Sequence, residues 1–209
     1  MSRRLLAAAP ELVAPRLLGS RIVSDIGGAR VVLRITEVEA YGGVGEDPGS
    51  HAFRGQTARN ATMFGMPGLL YCYFTYGMHW CANVVTGPAG AASAVLLRAG
   101  AITEGIDAAR ARRPSARSDR DLARGPARLA AALGLDRATD GVDLLSRESP
   151  VRLAVTRHPL PLHLVTPRTG VAGPGGSTPW RFAADDATVS PYRPAAPRPR
   201  TRVGKDGDS

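Results

Sequence analysis

The stretch that decides the fold is residues 30–41, with the sequence RVVLRITEVEAY. The pattern predicts a β-strand. At a period of two, one face of this strand carries Val31, Leu33, Ile35, Glu37, Glu39 and Tyr41. That face begins apolar and ends with two carboxylates and an aromatic ring, which is unusual both for a core face and for a solvent face. The end of this strand is therefore a candidate site for chemistry.

The carboxylates of Glu37 and Glu39 are expected about 7 Å apart on that face. If both approach a partly buried pocket, one of them will hold its proton to a higher pH than in water. A general base that activates water must be ionised and within hydrogen-bonding reach of that water. The alternative interpretation is a strand end with two solvated glutamates, and it stays open at this point.

The segments around this strand predict an α+β arrangement. Further strands are expected at residues 21–24, 69–75, 79–86, 93–99, 151–156 and 162–166, and helices at residues 102–113 and 119–134. The pair Gly27-Gly28 marks a turn, and Tyr76-Gly77-Met78 joins two strands as a hairpin. Residues 42–66 are expected to form a long ordered loop of the kind that carries function.

Length and composition set further limits. A chain of 209 residues is long enough for one compact domain with a sizeable core. We assign residues 1–184 to this domain and residues 185–209 to a disordered tail, because a composition rich in Pro, Arg, Gly and Asp cannot bury a core. No apolar run approaches the roughly 18–20 residues of a membrane span, and the apolar run at residues 5–9 is too short for a signal peptide. We therefore expect a soluble cytoplasmic protein.

The charge of the chain favours a polyanionic partner. Its formal net charge is +9 and its pI is near 10.7. A positive surface gains free energy by releasing counterions from phosphates, so nucleic acid is the favoured partner. Codon bias combined with a basic tail is the alternative explanation.

Nearly every basic residue is arginine, and the sole lysine is Lys205. Arginine is not deprotonated in proteins, whereas a Schiff base needs a neutral amine, so imine chemistry is not expected. A P-loop is disfavoured because it also requires a lysine. Cys72 and Cys81 belong to no CxxC pair or Cys/His cluster, so the sequence indicates neither a zinc site nor a disulfide framework.

Aromatic residues are concentrated in one hairpin, at Tyr71, Tyr73, Phe74, Tyr76 and Trp80. Tyr76 stands next to Gly77 at the hairpin tip, where a ring could project into a base stack. Tyr41 and Tyr73 could supply flat faces that hold an extruded base. Core packing is the better explanation for Tyr71 and Phe74.

Together these residues resemble the 3-methyladenine (alkyladenine) DNA glycosylase family of the mammalian type, which also has bacterial members. The resemblance rests on residues 36–41 (TEVEAY), 50–51 (SH), 56–60 (QTARN), 63–64 (MF), 71–78 (YCYFTYGM), Asn83, 95–99 (VLLRA), 125–129 (GPARL), 168–171 (RTGV) and 180–182 (WRF). It covers the chain from about residue 17 to residue 182, and the order and spacing of so many motifs make it specific. The resemblance implies a curved, mostly antiparallel sheet with peripheral helices and a protruding hairpin that intercalates into DNA.

The resemblance also implies roles for individual residues. Glu39 matches the carboxylate that activates water, and Arg98 matches a residue near that water. The residues that match the lining of the base pocket are Tyr41, His51, Tyr73 and Asn83. Asn83 matches a position at the pocket floor that rejects guanine by clashing with its exocyclic amine.

The remaining matched residues would contact DNA. Tyr76 matches the wedge that fills the space left by the extruded nucleotide. Arg59, Asn60 and Met63 match residues at the DNA surface.

The expected activity is hydrolysis of the N-glycosidic bond of alkylated or deaminated purines in double-stranded DNA, after extrusion of the damaged base. The expected substrates are 3-methyladenine and, as further candidates, hypoxanthine and ethenoadenine. The sole lysine, Lys205, lies in the predicted tail. Water is therefore the expected nucleophile, and the expected product is an abasic site. We expect a monomer without cofactor or metal and without membrane association. His51 is a candidate for donating a proton to neutral purines or for orienting them.

Two alternatives stay open. One is a damage-binding module that recognises lesions without excising them, and the other is an RNA-binding or RNA-modifying protein with the same basic surface. A zinc deaminase is disfavoured because HxE followed by PCxxC is absent.

Overall fold

A computed structural model describes residues 3–75 and 77–195, which form one α+β domain around an open antiparallel sheet. The predicted fold class is confirmed. The described strands are β1 (Arg21–Ser24), β2 (Val31–Tyr41), β3 (Leu70–Thr75), β4 (His79–Thr86), β5 (Ser93–Glu104), β6 (Val151–Ala154), β7 (Leu162–Thr166) and β8 (Arg181–Ala184). The described α-helices are α1 (Arg3–Leu6), α2 (Pro10–Leu17), α3 (Ile106–Arg112) and α4 (Pro126–Leu133).

The strand that carries the two glutamates, β2, lies in the interior of the sheet. The main path of the sheet runs β3-β4-β5-β2-β1-β6, and β8 pairs with both β2 and β7. One edge of β2 pairs with β5, and the other edge pairs first with β1 and then, from Glu37 to Glu39, with β8. The end of β2 that carries the two glutamates is therefore held on both edges.

Three register shifts interrupt the pairing of β2 with β5, one between Val32 and Leu33 and two on either side of Glu37. At the two shifts beside Glu37, the register skips Thr36 on β2 and Arg98 on β5, so each strand carries one extra residue near the same place. Bulges of this kind re-aim side chains and are frequent next to active sites. Here they lie directly beside the predicted carboxylates.

The bulge on β2 changes which positions face the core. Odd-numbered residues pack into the apolar core up to Ile35, but the even-numbered Val38 and Ala40 do so after it. The single face predicted from a period of two is therefore wrong beyond Ile35. Because successive side chains alternate across a strand, Glu37 and Glu39 project to the side opposite this core.

The region after β5 also differs from the prediction. β5 continues to Glu104 instead of ending at residue 99, and α3 begins only after Gly105, whose φ is +75°. A Cβ at Gly105 would lie 1.9 Å from the carbonyl oxygen of Arg30, so only glycine fits where the chain leaves the sheet. The helix predicted at 119–134 is limited to α4, because the residue before Pro126 is disfavoured in helical conformation.

Helices cover the apolar side of the sheet. α2 packs against β2, and α4 packs against β4 and β5. The buried side chains of Leu17, Leu129 and Leu133 join the main core from these helices. No helix in the described residues is long and apolar enough to cross a bilayer.

Residues 185–193 follow β8 and form a segment that we call the C-terminal strap. Sequence composition assigned these residues to a disordered tail, but Thr188 and Ser190 are each only 7% exposed. Thr188 pairs with the hydroxyl of Thr36, and Asp186 pairs with Arg34. The domain therefore extends beyond residue 184, and the part of the predicted tail at residues 196–209 lies outside the described residues.

Candidate active site

A cleft of about 490 Å³ opens beside the end of β2 that carries the two glutamates. Most of the predicted site residues line it: Tyr41, His51, Met63, Tyr73, Asn83 and Arg98. Its size falls within the range of small-molecule pockets, roughly 300–1,000 Å³. The structure thus brings together residues from the long loop and from β2, β3, β4 and β5.

Glu39 lies behind the wall of this cleft and is fully buried. Its Oε2 accepts hydrogen bonds from the hydroxyl of Tyr41 at 2.9 Å and from Nη1 of Arg98 at 3.1 Å. Its Oε1 accepts the backbone N–H of Thr169 at 2.6 Å. An ionised carboxylate has about four acceptor positions, so these three donors leave one position for a further hydrogen bond.

Tyr41 donates to Glu39 because its own proton is firmly held. Burial and then the negative charge of Glu39 raise the pKa of Tyr41 well above its ordinary value. The guanidinium of Arg168 lies over the Tyr41 ring at 4.6 Å and also contacts the ring of Trp180 at 5.5 Å. Arg168 is itself paired with buried Asp47, at 2.6 and 2.7 Å. The ring of Tyr41 is therefore backed by a rigid charged layer.

Glu37 forms a second buried carboxylate site away from the cleft. Its Oε1 accepts hydrogen bonds from Nε of Arg98 at 2.9 Å and from Nε of Arg181 at 2.6 Å. Burial alone would raise the pKa of Glu37, but the charges of Arg98 and Arg181 and two hydrogen bonds from Ser190 outweigh it, so the pKa lies below its ordinary value. The expectation that one carboxylate would hold its proton to a higher pH is therefore not met at Glu37. The alternative of a solvated strand end is also excluded, since Glu37 and Glu39 are both 0% exposed.

Three aromatic rings in mutual contact form another wall. His51 meets Tyr73 edge-on with ring centroids 4.6 Å apart, and Tyr71 lies 5.5 Å from Tyr73. Nδ1 of His51 lies 3.3 Å from the Tyr71 hydroxyl. Desolvation, and then the charge of Arg59, lower the pKa of His51 below its ordinary value, which favours the neutral imidazole.

Tyr71 packs in a core cluster, as the sequence indicated, and it also forms part of the cleft wall. Its side chain is buried but lines the cleft and contacts His51. The period-two spacing of Tyr71 and Tyr73 on β3 puts both on one face, and this spacing could have revealed it. Cys81 and Thr169 also line the cleft and were not predicted.

Asn83 lies on β4, lines the cleft and is 4% exposed. Its Nδ2 donates to the backbone carbonyl of Tyr71 at 3.0 Å, across the pair that the two residues form between β3 and β4. This hydrogen bond fixes the orientation of the amide.

The three residues predicted at the DNA surface have different surroundings. Arg59 is exposed and donates to the carbonyl of Phe74 at 3.0 Å. Asn60 is 1% exposed, because its amide holds the long loop together by bonding the backbone of Thr57, His51 and Gly55. Met63 is 2% exposed and packs in the wall of the cleft. The surface placement is therefore wrong for Asn60 and Met63.

The tip of the predicted hairpin is only partly described, because Tyr76 lies outside the described residues. Next to it, Gly77 has a φ of +66°, and Met78 is 67% exposed. Phe74 was expected in the core, but it is 44% exposed and packs against Trp80 with ring centroids 5.0 Å apart. Phe74 and Met78 are therefore exposed at this end of the hairpin, whereas Trp80 packs against the main core.

A recess rich in arginine lies beside the cleft. We call it the arginine recess; it has a volume of about 650 Å³ and is lined by Arg113, Ser115, Arg117, Ser118, Arg120, Asp121, Arg124 and Arg128. Its single carboxylate, Asp121, pairs with Arg128. The recess adjoins the cleft through α4, whose first residues Pro126 and Ala127 line the cleft. Its excess of positive charge suits a phosphate group.

Comparison with known proteins gives consistent matches. The model of the methylpurine-DNA glycosylase family matches residues 4–188. A relative from Streptomyces avermitilis is 57% identical over 191 residues, which covers 90% of this chain and 89% of the relative. Relatives from Leifsonia xyli subsp. xyli (54% over 188 residues, 87% of each chain) and Nocardia farcinica (48% over 197 residues, 90% of each chain) are also similar. The names of all three assign them provisionally as 3-methyladenine DNA glycosylases.

Proposed function

Since this chain belongs to the methylpurine-DNA glycosylase family and is therefore a DNA glycosylase, a hydrolase of N-glycosyl bonds, we propose that it excises 3-methyladenine and related damaged purines from double-stranded DNA. The damaged base is extruded into the aromatic cleft, and water replaces it at the sugar. We propose that it acts as a monomer in the bacterial cytoplasm.

The observation that carries this proposal is the set of contacts around Glu39. Tyr41, Arg98 and Thr169 occupy three of its acceptor positions and leave one. A water at this remaining position would lie against a carboxylate that is held rigidly and cannot turn away. A general base must be within hydrogen-bonding reach of the proton that it removes, and we propose that the water binds at the free position of Glu39.

The proposed reaction needs only one group from the protein to accept a proton. Water oxygen bonds to C1′ of the sugar, its proton passes to Glu39, and the N-glycosidic electron pair leaves with the purine. A methylated purine that carries a positive charge leaves as a neutral base. Arg98 lies beside Glu39 and stabilises its charge before the proton arrives.

The aromatic wall is consistent with cationic bases. Tyr41 and Tyr73 present electron-rich rings to the cleft, and such rings attract cations. Neutral substrates such as hypoxanthine and ethenoadenine also need a proton on the leaving purine. Because the lowered pKa of His51 favours its neutral imidazole, this ring can orient such a base by donating one N–H but is a poor acid. We therefore propose faster release of cationic bases than of neutral ones.

Contacts to DNA would surround the cleft. We propose that Tyr76 fills the space of the extruded nucleotide, that Arg59 lies at the DNA surface, and that the arginine recess takes a backbone phosphate. The recess supports this because of its excess of guanidinium groups beside the cleft mouth.

The test is base release from duplexes with a single 3-methyladenine, hypoxanthine or ethenoadenine, with binding measured in parallel. We expect release by the wild type and a loss of roughly 10²–10⁴-fold in Glu39→Gln, with lesion binding retained. Glu104→Gln is a matched control, since Glu104 is an exposed carboxylate at the end of β5, and it should keep full activity. Tight lesion binding without release would instead support a damage-binding module, and preference for single-stranded RNA would support an RNA-binding protein.

A further inference from the structure

On the basis of the proposed function, we propose that Ser190 is a positioning residue for base release. Its backbone amide and hydroxyl fix the carboxylate of Glu37, and through it the guanidinium of Arg98. Ser190 lies on the C-terminal strap and does not line the cleft, so it acts on base release only through Glu37 and Arg98.

The first step is that two hydrogen bonds from Ser190 hold the carboxylate of Glu37 in place. The Ser190 N–H donates to Oε2 of Glu37 at 2.6 Å, and the Ser190 hydroxyl donates to Oε1 at 2.9 Å. Both residues are buried. A buried carboxylate must be satisfied by hydrogen bonds, and these two donors come from a segment 153 residues away in the chain.

The second step is the orientation of Arg98. Its Nε donates to Oε1 of Glu37 at 2.9 Å, and its Nη1 donates to Oε2 of Glu39 at 3.1 Å. The guanidinium is a rigid planar fork, so fixing Nε against Glu37 also fixes the direction of Nη1. Its Nη2 lies 3.5 Å from the Ser190 hydroxyl. Glu37 and Ser190 therefore orient the Arg98 guanidinium so that its Nη1 points at Glu39.

The third step is the balance of charge. Two carboxylates, Glu37 and Glu39, share this buried region with Arg98 and Arg181. Arg98 is the guanidinium that contacts both carboxylates, so the two carboxylates compete for it. The two donors of Ser190 occupy acceptor positions on the Glu37 carboxylate. Nη1 of Arg98 therefore stays available to Glu39. Without the Ser190 hydroxyl, Glu37 draws Arg98 toward itself and away from Glu39.

The strap is anchored on both sides of Ser190, so the position of this residue is fixed. The carbonyl of Val189 accepts Nε of Arg124 at 2.9 Å, and the carbonyl of Ser190 accepts Nη2 of Arg181 at 3.1 Å. Further along, the carbonyl of Arg193 accepts the N–H of Gly170 at 3.2 Å. Gly170 follows Thr169, the residue whose amide holds the other oxygen of Glu39. The strap thus supports both sides of the Glu39 carboxylate.

The test compares Ser190→Ala with Thr188→Val in the full-length protein. Thr188 is the matched control, because its buried hydroxyl contacts Thr36 and Asp186 but neither glutamate. Single-turnover base release from a 3-methyladenine duplex at saturating enzyme, the Kd for the same duplex and the melting temperature are measured for each variant. We expect Ser190→Ala to lower the release rate roughly tenfold, as for the loss of a hydrogen bond to a charged group, with Kd unchanged. Thr188→Val should lower the melting temperature and keep the release rate.

Further variants keep the inference falsifiable. Ser190→Thr keeps the hydroxyl and should recover most of the rate, and Ser190→Cys replaces the alanine variant if that protein does not fold. On an Arg98→Lys background, Ser190→Ala should cause little further loss, because Ser190 acts through Arg98. Equal rate losses in Ser190→Ala and Thr188→Val, or an unchanged rate in Ser190→Ala, would overturn the inference while the proposed function stands. A wild type that releases no base would overturn both.

Discussion

Replacing Asp47 by Asn removes the carboxylate that pairs with the buried guanidinium of Arg168. The two oxygens of Asp47 accept Nη1 and Nη2 of Arg168 at 2.6 and 2.7 Å, and the two side chains are 2% and 0% exposed. Breaking such a pair costs about 3–5 kcal/mol because a buried charge is left uncompensated. Asn keeps one acceptor oxygen, so we expect the free energy of unfolding to fall by about 3 kcal/mol, the lower end of this range. For a domain of this size that corresponds to a decrease in melting temperature of roughly 6–12 °C.

The assay is thermal unfolding followed by circular dichroism at pH 7. Asp119→Asn serves as the control, because Asp119 pairs with Arg110 at the surface, where both side chains are about half exposed. Exposed pairs contribute little, so the control should melt close to the wild type. If Asp47→Asn melts within roughly 2 °C of the wild type, the reasoning from the uncompensated charge is refuted.

The loss of stability in Asp47→Asn should depend on pH, because the Asp47 carboxylate titrates. Burial alone would raise the pKa of Asp47, but hydrogen bonds from Arg168, Gly42 and Gly49 outweigh it and place the pKa below its ordinary value. A carboxyl group with a lowered pKa stabilises the fold fully above its unfolded pKa of about 4, and this contribution is lost as the pH falls through the lower, folded value. The stability difference between the wild type and Asp47→Asn should therefore be largest near neutral pH and shrink below about pH 4. A difference that grows on acidification would contradict this assignment.

Three further predictions concern the cleft and its surroundings. Tyr41→Phe removes one of the donors to Glu39, so the single-turnover release rate should fall roughly tenfold while lesion binding is kept; an unchanged rate would show that this hydrogen bond has no part in catalysis. Replacing Arg117 and Arg120 of the arginine recess by Gln should reduce the slope of log Kd against log salt by about 0.9 for each DNA phosphate that the variant no longer neutralises, and an unchanged slope would exclude the recess from DNA binding. Borohydride should trap no covalent enzyme–DNA complex during base release, because the chain has a single lysine, Lys205; trapping in proportion to release would contradict water as the nucleophile.

The local sequence pattern was sufficient to predict two elements: the strand with the two glutamates, and the aromatic hairpin. The sequence of residues 30–41 indicated β2, and the structure places Glu39 and Tyr41 at its end in direct contact. Flanking turn residues indicated the hairpin of β3 and β4 nearly to the residue. These features depend on neighbours in the chain, which explains why a single sequence reveals them.

Features that depend on distant partners were not predictable in this way. The bulges at Thr36 and Arg98 arise from the pairing of β2 with β5. The local sequence pattern does not indicate which residue a bulge leaves without a partner. Ser190 lies in a segment whose composition indicates disorder, and it becomes buried because Glu37 needs donors. Asn60 was expected at the surface, yet its amide is used to hold the loop.

Because Glu39 lies in the interior of the sheet, we expect the proposed active site to persist for as long as the whole fold does. Its strand is paired on both edges, with β5 and with β8, so its backbone has no route to open alone. Segments of this kind exchange their amide hydrogens only when the protein unfolds globally. Hydrogen exchange at β2 and thermal inactivation should therefore report the same transition, and we expect Glu39 to keep its position when different substrates bind. Any adjustment needed to fit different lesions has to come from the loop, the hairpin and the DNA.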